Sequence, residues 1–276
     1  MSGHMTGIEH IAAAFAGADK RAALMPYLMG GFPDLDTSRR IGDACIDAGA
    51  DLLELGIPFS DPLADGPVIQ AAGTAALAAG ATTDGVLEVC AALAPRAPVV
   101  LMTYVNILLA RGIERFVDQA ARAGAAGLIV PDVPLEESAE LRDACDAAGL
   151  ALVALVAPTT PDDRLARIGA LARGFVYTVA VTGTTGERRG GDASELLARV
   201  KRSTSVPVAL GFGISTPEDA ARAAADGADG VIVGSRLVRA AAEAQDPATE
   251  VGRLVAELAA GLAAPPAHTD SAAPVG

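Results

Sequence analysis

Eight short apolar runs, separated by stretches in which alanine alternates with charge, set the pattern of this chain. The runs are ALMPYLM (23–29), DLLELG (51–56), PVVLMTY (98–104), GLIVPD (127–132), ALVALVA (151–157), GFVYTVA (174–180), PVALGFG (207–213) and GVIVGS (230–235). They are near-continuous rather than alternating, the character of parallel strands buried on both faces. The segments between them carry charge on one face, as in EESAELRDACDAAG (136–149) and PEDAARAAADG (217–227), and read as amphipathic helices. "AGAD", "AGAAG", "AAG" and "DGADG" put glycine where a helix ends ahead of the next strand. Thr160-Pro161-Asp162-Asp163 and Ser215-Thr216-Pro217-Glu218 each offer a capping hydroxyl, a first-turn proline and acids against the helix dipole. Strict βα alternation, repeated eight times, predicts a (β/α)8 barrel of the α/β class, with a doubly wound open sheet as the rival topology. Residues 8–18 predict an extra N-terminal helix closing the barrel bottom, and 8–261 a single barrel domain. Residues 1–7 are expected to be a disordered segment, in which "GHM" resembles a tag scar. Residues 262–276, LAAPPAHTDSAAPVG, are expected to be a disordered tail.

Apolar residues are 51% of the 276, enough for a large core, but aromatic residues are only 3% and tryptophan is absent. The helices are therefore expected to pack through alanine. The net charge of −13, without a basic stripe or an aromatic platform, argues against nucleic acid and against anionic membranes. No apolar run reaches the roughly 18 residues of a membrane span, and the N-terminus lacks a secretory core. Cys45, Cys90 and Cys145 are single and far apart, which reads as reduced core thiols of a cytoplasmic protein. Two of the three histidines, His4 and His268, fall in expected tails, and His10 stands alone. Lys20 and Lys201 are the only lysines, and neither lies at an apolar strand end. Histidine bases, hydrolase triads, histidine metal sites and Schiff bases are poorly supported. Acid–base chemistry falls to carboxylates, with tyrosine in support, and no metal is expected.

Barrel active sites sit at the C-terminal ends of the strands. There the chain offers Glu54, then Asp61 and Asp65 on a proline-rich loop, Tyr104 and Asn106 after the third run, and Asp132 after the fourth. Tyr177 follows on the sixth, ahead of VTGTTGERRGG (181–191). Glycines after the seventh and eighth strands let backbone N–H groups approach an anion, so Gly213, Gly234 and Ser235 are candidate phosphate donors, with Gly186 contributing from the sixth loop. The competing reading is that they form tight turns. Glu54 is either a core glutamate satisfied by a tyrosine or water, or a proton shuttle whose pKa burial raises toward neutrality. Asp65 is either its partner or a helix cap, and Asp61 structures a turn with Pro62. The loops at 57–66 and 182–192 read as pocket covers or as ordinary surface loops.

Several segments resemble the tryptophan synthase alpha chain family, in order from about residue 8 to 260. They are LLELGIPFSDPLADGPVIQ (52–70), MTYVN (102–106), GLIVPDVPLEE (127–137), VYTVAVTGTTGER (176–188), LGFGIS (210–215) and GVIVGS (230–235). The resemblance implies retro-aldol cleavage of indole-3-glycerol phosphate to indole and glyceraldehyde 3-phosphate. It implies catalytic roles for Glu54 and Asp65, supporting roles for Tyr177, Thr185 and Tyr104, and phosphate binding by Gly186, Gly213, Gly234 and Ser235. Phe212, Leu24, Met102 and Ile129 are expected to wall the indole pocket; plain core packing is the alternative. Thr184, Val181 and Leu24 depart from residues found in family members, which bears on the lid and the pocket shape and leaves the acid–base pair intact. The resemblance also implies an αββα assembly with a beta chain that holds pyridoxal phosphate, no cofactor in this chain, and indole passing between subunits through a tunnel. Pro58, Phe59 and Pro62, with Leu63, are expected to be exposed at that interface. A stand-alone lyase would keep the same residues without needing a partner. A weakly active allosteric subunit is opposed by the intact acid pair, and a sugar-phosphate isomerase by the scarcity of histidine and lysine.

Overall fold

The computed structural model describes residues 5–179, 193–211 and 213–263. Its strands are β1 (Ala23–Met29), β2 (Leu53–Gly56), β3 (Val99–Met102), β4 (Gly127–Ile129), β5 (Ala151–Val156), β6 (Val176–Val179), β7 (Val208–Gly211) and β8 (Gly230–Val233). Each predicted run contains one of them. All pair in parallel, and β1 pairs with both β2 and β8, so the sheet closes in chain order into a barrel. The open-sheet topology is thereby ruled out.

Side-chain alternation splits the core in two. Leu24, Leu28, Leu53, Leu55, Leu101 and Leu128 face outward and pack with helix residues such as Ile41, Leu93 and Phe116. Met25, Val100, Val153 and Ala209 face inward and fill the lower barrel with Ile11 and Phe175. Each such large side chain contributes about 1.5–3 kcal/mol by leaving water. Leu24 was expected in the indole pocket. It is fully buried in the helix-facing layer instead, because it is one residue out of phase with the inward face of β1.

The bottom of the barrel is closed by α1 (Gly7–Gly17), whose Phe15 ring lies 5.7 Å from that of Phe175. Thr6 caps this helix in a capping box with Glu9, so ordered chain begins before residue 8. At the other end, α12 (Pro247–Ala263) fully buries Leu262, a residue expected to open the tail. Gly49, Gly124, Gly149 and Gly227 have the positive φ expected of glycines that end helices. Thr216 caps α10 (Pro217–Ala225) as anticipated. Thr160 does not cap α8 (Asp162–Leu171): its hydroxyl accepts the Ala157 N–H at 3.0 Å, and Pro161 takes the cap position.

Both lysines serve the base of the barrel. Lys20 lies 3.0 Å from Asp51, which also accepts the Leu24 N–H at 2.7 Å. Lys201 lies 2.6 Å from Asp229, which accepts the Val208 N–H at 2.9 Å. Each aspartate pins the start of the preceding strand, at the end of the barrel away from the strand C-termini. Cys45, Cys90 and Cys145 are free and buried. Among the described residues, no single helix is long and apolar enough to cross a membrane.

Candidate active site

The C-terminal ends of the strands surround a cavity of about 210 Å³ whose lining includes Glu54, Asp65, Tyr27, Tyr177, Gly213 and Ser235. Glu54 reaches it by simple periodicity. Leu53 and Leu55 are needed outside against the helices, so the residue between them points in. Glu54 is 1% exposed, and its Oε2 has no hydrogen-bond partner among the described residues. Burial, and then the charge of Asp65, push its pKa up to about 8. It is therefore a neutral acid at pH 7, able to give a proton and take one back.

Asp65 stands on the loop between β2 and α3 (Pro67–Ala78). Its pKa is also raised, by burial, while the Tyr104 hydroxyl opposes that rise. The helix-cap alternative fails: Gly66 occupies the cap of α3 and no side chain bonds there. Asp65 is thus free to face the cavity. Asp61 takes the Ser60 hydroxyl at 2.5 Å instead. Asp132, three residues past β4, accepts the Val105 N–H at 3.0 and 3.2 Å and so supports the start of α5 (Val105–Arg111).

Tyr27 is a site residue that the sequence reading missed. It pairs with Glu54 across β1 and β2 and lines the same cavity. Strand parity would have found it, since it is in phase with Met25 on the inward face. Two glycines make room for the tyrosines. A Cβ on Gly56 would stand 2.2 Å from the Tyr27 hydroxyl, and one on Gly211 would stand 2.4 Å from that of Tyr177. Both phenols are held well above their ordinary pKa, chiefly by burial, and so remain protonated donors. Gly211→Ala is expected to displace the Tyr177 ring and to cost about 1–3 kcal/mol by overpacking, measured by denaturant melts.

Gly213 follows β7 with φ +77°, and α11 (Ser235–Glu243) starts behind Gly234 without a side-chain cap. Ser235 and Gly213 are exposed at the cavity rim. Their N–H groups, together with the helix dipole, form a setting suited to an anion. Met102 and Ile129 line the cavity; Leu24 does not. Thr185, Gly186 and Phe212, with Val181, Thr184 and the 182–192 loop, lie outside the described residues. Pro58, expected at an interface, is buried; Phe59 and Pro62 are half-buried. Leu63, on the same loop, is 87% exposed. Among the described residues, no three His, Cys, Asp or Glu side chains converge on a metal position.

Fold and cavity define a (β/α)8 barrel with two carboxyls lining a pocket at the C-terminal ends of its strands. A family model described as tryptophan synthase alpha chain matches residues 14–264. A tryptophan synthase alpha chain of Prochlorococcus marinus (strain MIT 9313) is 52% identical over 247 residues, covering 87% of this chain and 90% of the relative. One from Methanosarcina mazei is 47% identical over 245 residues, covering 88% and 90%. Among solved structures, Mycobacterium tuberculosis tryptophan synthase superposes with a TM-score of 0.85 at 36% identity, covering 95% of this chain and 100% of that one. The tryptophan synthase a2b2 complex of Pyrococcus furiosus gives 0.80 at 37%, covering 87% and 98%. The chain belongs to the tryptophan synthase alpha chain family, lyases that cleave indole-3-glycerol phosphate in tryptophan biosynthesis.

Proposed function

We infer that Glu54 and Asp65 carry out the cleavage of indole-3-glycerol phosphate in this chain. The observation that carries the reading is the buried, unpartnered oxygen of Glu54 on the cavity wall. In its protonated form, Glu54 gives its proton to indole C3, leaving positive charge on the ring nitrogen. Asp65 stabilises that charge. The Glu54 carboxylate then takes the proton of the side-chain hydroxyl. The O–H pair becomes the aldehyde C=O, the C–C bond breaks, and its electrons return to the ring. The products are indole and glyceraldehyde 3-phosphate, and Glu54 ends protonated as it began.

The phosphate is read as bound by the backbone of Gly213, Gly234 and Ser235, with Gly186. The indole ring is read as lying against Met102, Ile129 and Phe212, with Tyr177, Tyr104 and Thr185 in support. An alpha–beta assembly is supported by the a2b2 relative. Phe59 and Pro62, with the exposed Leu63, are the surface offered to the beta chain. Pyridoxal phosphate belongs to that partner, this chain needs none, and the setting is the cytoplasm.

The test is release of indole from indole-3-glycerol phosphate by the full chain, with and without a beta chain. Asp65→Asn is expected to lower kcat about a hundredfold while KM moves only a few-fold, since the lost interaction is strongest when the ring nitrogen is charged. A chain that releases no indole in either setting refutes the assignment.

A further inference from the structure

The loop at 57–66 carries Asp65 near one end and the exposed Leu63 near its middle, and an aromatic contact ties it to the barrel. The Phe59 ring lies on that of Tyr104, with centroids 5.3 Å apart and planes 27° from parallel. Tyr104 is buried just past β3, and its hydroxyl accepts the Ala64 N–H at 3.1 Å. A hydroxyl that accepts there still carries its own proton, and its effect on the Asp65 carboxyl is to favour the ionised form. We propose that Phe59 and Tyr104 are positioning residues: the stack and the Ala64 hydrogen bond clamp the loop, and the clamp sets where the Asp65 carboxyl stands in the cavity.

This rests on the reading that Asp65 serves the cleavage. Gln70 holds the Asp65 main-chain carbonyl at 2.8 Å, which fixes the backbone but not the carboxyl. The helix that follows is capped without the Asp65 side chain. The Tyr104 hydroxyl also favours the ionised form of Asp65 against burial, the form a developing positive charge requires. Phe59 is half-buried, and its loop continues into exposed Leu63. Whatever settles on Leu63 therefore acts on a segment whose aromatic anchor is the residue beside Asp65. An aligned carboxylate contributes only in its productive geometry, so small displacements are costly.

The experiment measures steady-state indole release by wild type, Tyr104→Phe, Phe59→Leu and the double variant, each as the full chain with and without its beta chain. Tyr104→Phe keeps the stack and removes the hydroxyl; kcat is expected to fall about tenfold or more with KM within about twofold. Phe59→Leu is expected to lower kcat about fivefold in the isolated chain and less in the complex, where the partner holds the loop. The double variant is expected to match Tyr104→Phe within about twofold, because both changes act through one clamp. Phe59→Tyr retains the ring and is expected to retain the rate. A Tyr104→Phe rate equal to wild type, a double variant as slow as the product of the two effects, or a Phe59→Tyr rate as low as Phe59→Leu overturns the clamp. Hydrogen exchange of residues 57–66 is followed in parallel and needs no substrate. Faster exchange in both single variants is expected, and unchanged exchange overturns the clamp even if the wild type releases no indole. Faster exchange together with an inactive wild type overturns the assigned reaction and leaves the clamp standing.

Discussion

Replacing Glu54 by glutamine is expected to lower turnover of indole-3-glycerol phosphate by about three orders of magnitude or more, some 4 kcal/mol of barrier. The substitution keeps the shape of the side chain and its place between Leu53 and Leu55. It removes the one property the reaction uses, a proton that can leave and return near neutral pH. An amide cannot protonate C3, and it cannot accept the hydroxyl proton that lets the C–C bond break. KM is expected to move little, because in the proposed reading the phosphate is bound by the backbone after β7 and β8 and not by Glu54. That pattern, kcat lost and KM kept, marks a group acting mainly in the transition state. The wild-type pH profile should agree. With the carboxyl pushed up to about 8, the proton-donating form persists through pH 7 and declines above pH 8. Steady-state kinetics on the two proteins between pH 6 and pH 9 check both points, and equal kcat values would remove Glu54 from the mechanism.

The barrel was legible because its cause is local. Eight apolar runs and the glycines that end the intervening helices dictate it residue by residue, without knowledge of distant contacts. Glu54 was legible for the opposite reason: a carboxyl within an apolar strand contradicts its surroundings, and such contradictions gather where function requires them. What escaped the sequence depended on strand phase and on cross-strand space. Leu24 and Tyr27 lie in the same short run, yet one faces the helices and the other the cavity. Only the inward parity of β1 relative to Glu54 separates them. The emptiness at Gly56 and Gly211 becomes meaningful once tyrosines from neighbouring strands are seen to fill it. The loop misled in a similar way. Its prolines and phenylalanine look exposed in a chain so acidic, but Pro58 is buried and Phe59 leans on Tyr104, which leaves Leu63 outside.

The same buried carboxyl should make the protein less stable as pH rises through neutrality, and Glu54→Gln should remove that trend. The sign follows from proton binding. An unfolded glutamate ionises near its ordinary 4.5, whereas the folded one holds its proton to about 8. Between those values the folded state binds more protons, so stability falls by about 1.4 kcal/mol per pH unit, or about 4 kcal/mol across the window. It is fully present below pH 4.5 and exhausted above pH 8. The raised Asp65 pKa adds to the trend in the same direction. Asp34, Asp219 and Asp246 are lowered below their ordinary values and act with the opposite sign at more acid pH. Subtracting the variant from the wild type cancels these and isolates position 54. Glutamine brings its own penalty of about 1–2 kcal/mol, because its amide meets the unpartnered environment that surrounds Oε2. The two stability curves should therefore cross: wild type the more stable at pH 4.5, and Glu54→Gln the more stable by about 2 kcal/mol at pH 8. Urea melts across that range measure the difference directly. Parallel curves would mean that Glu54 is solvated or paired in solution, and a group so satisfied would hold no proton at pH 7 to give to C3.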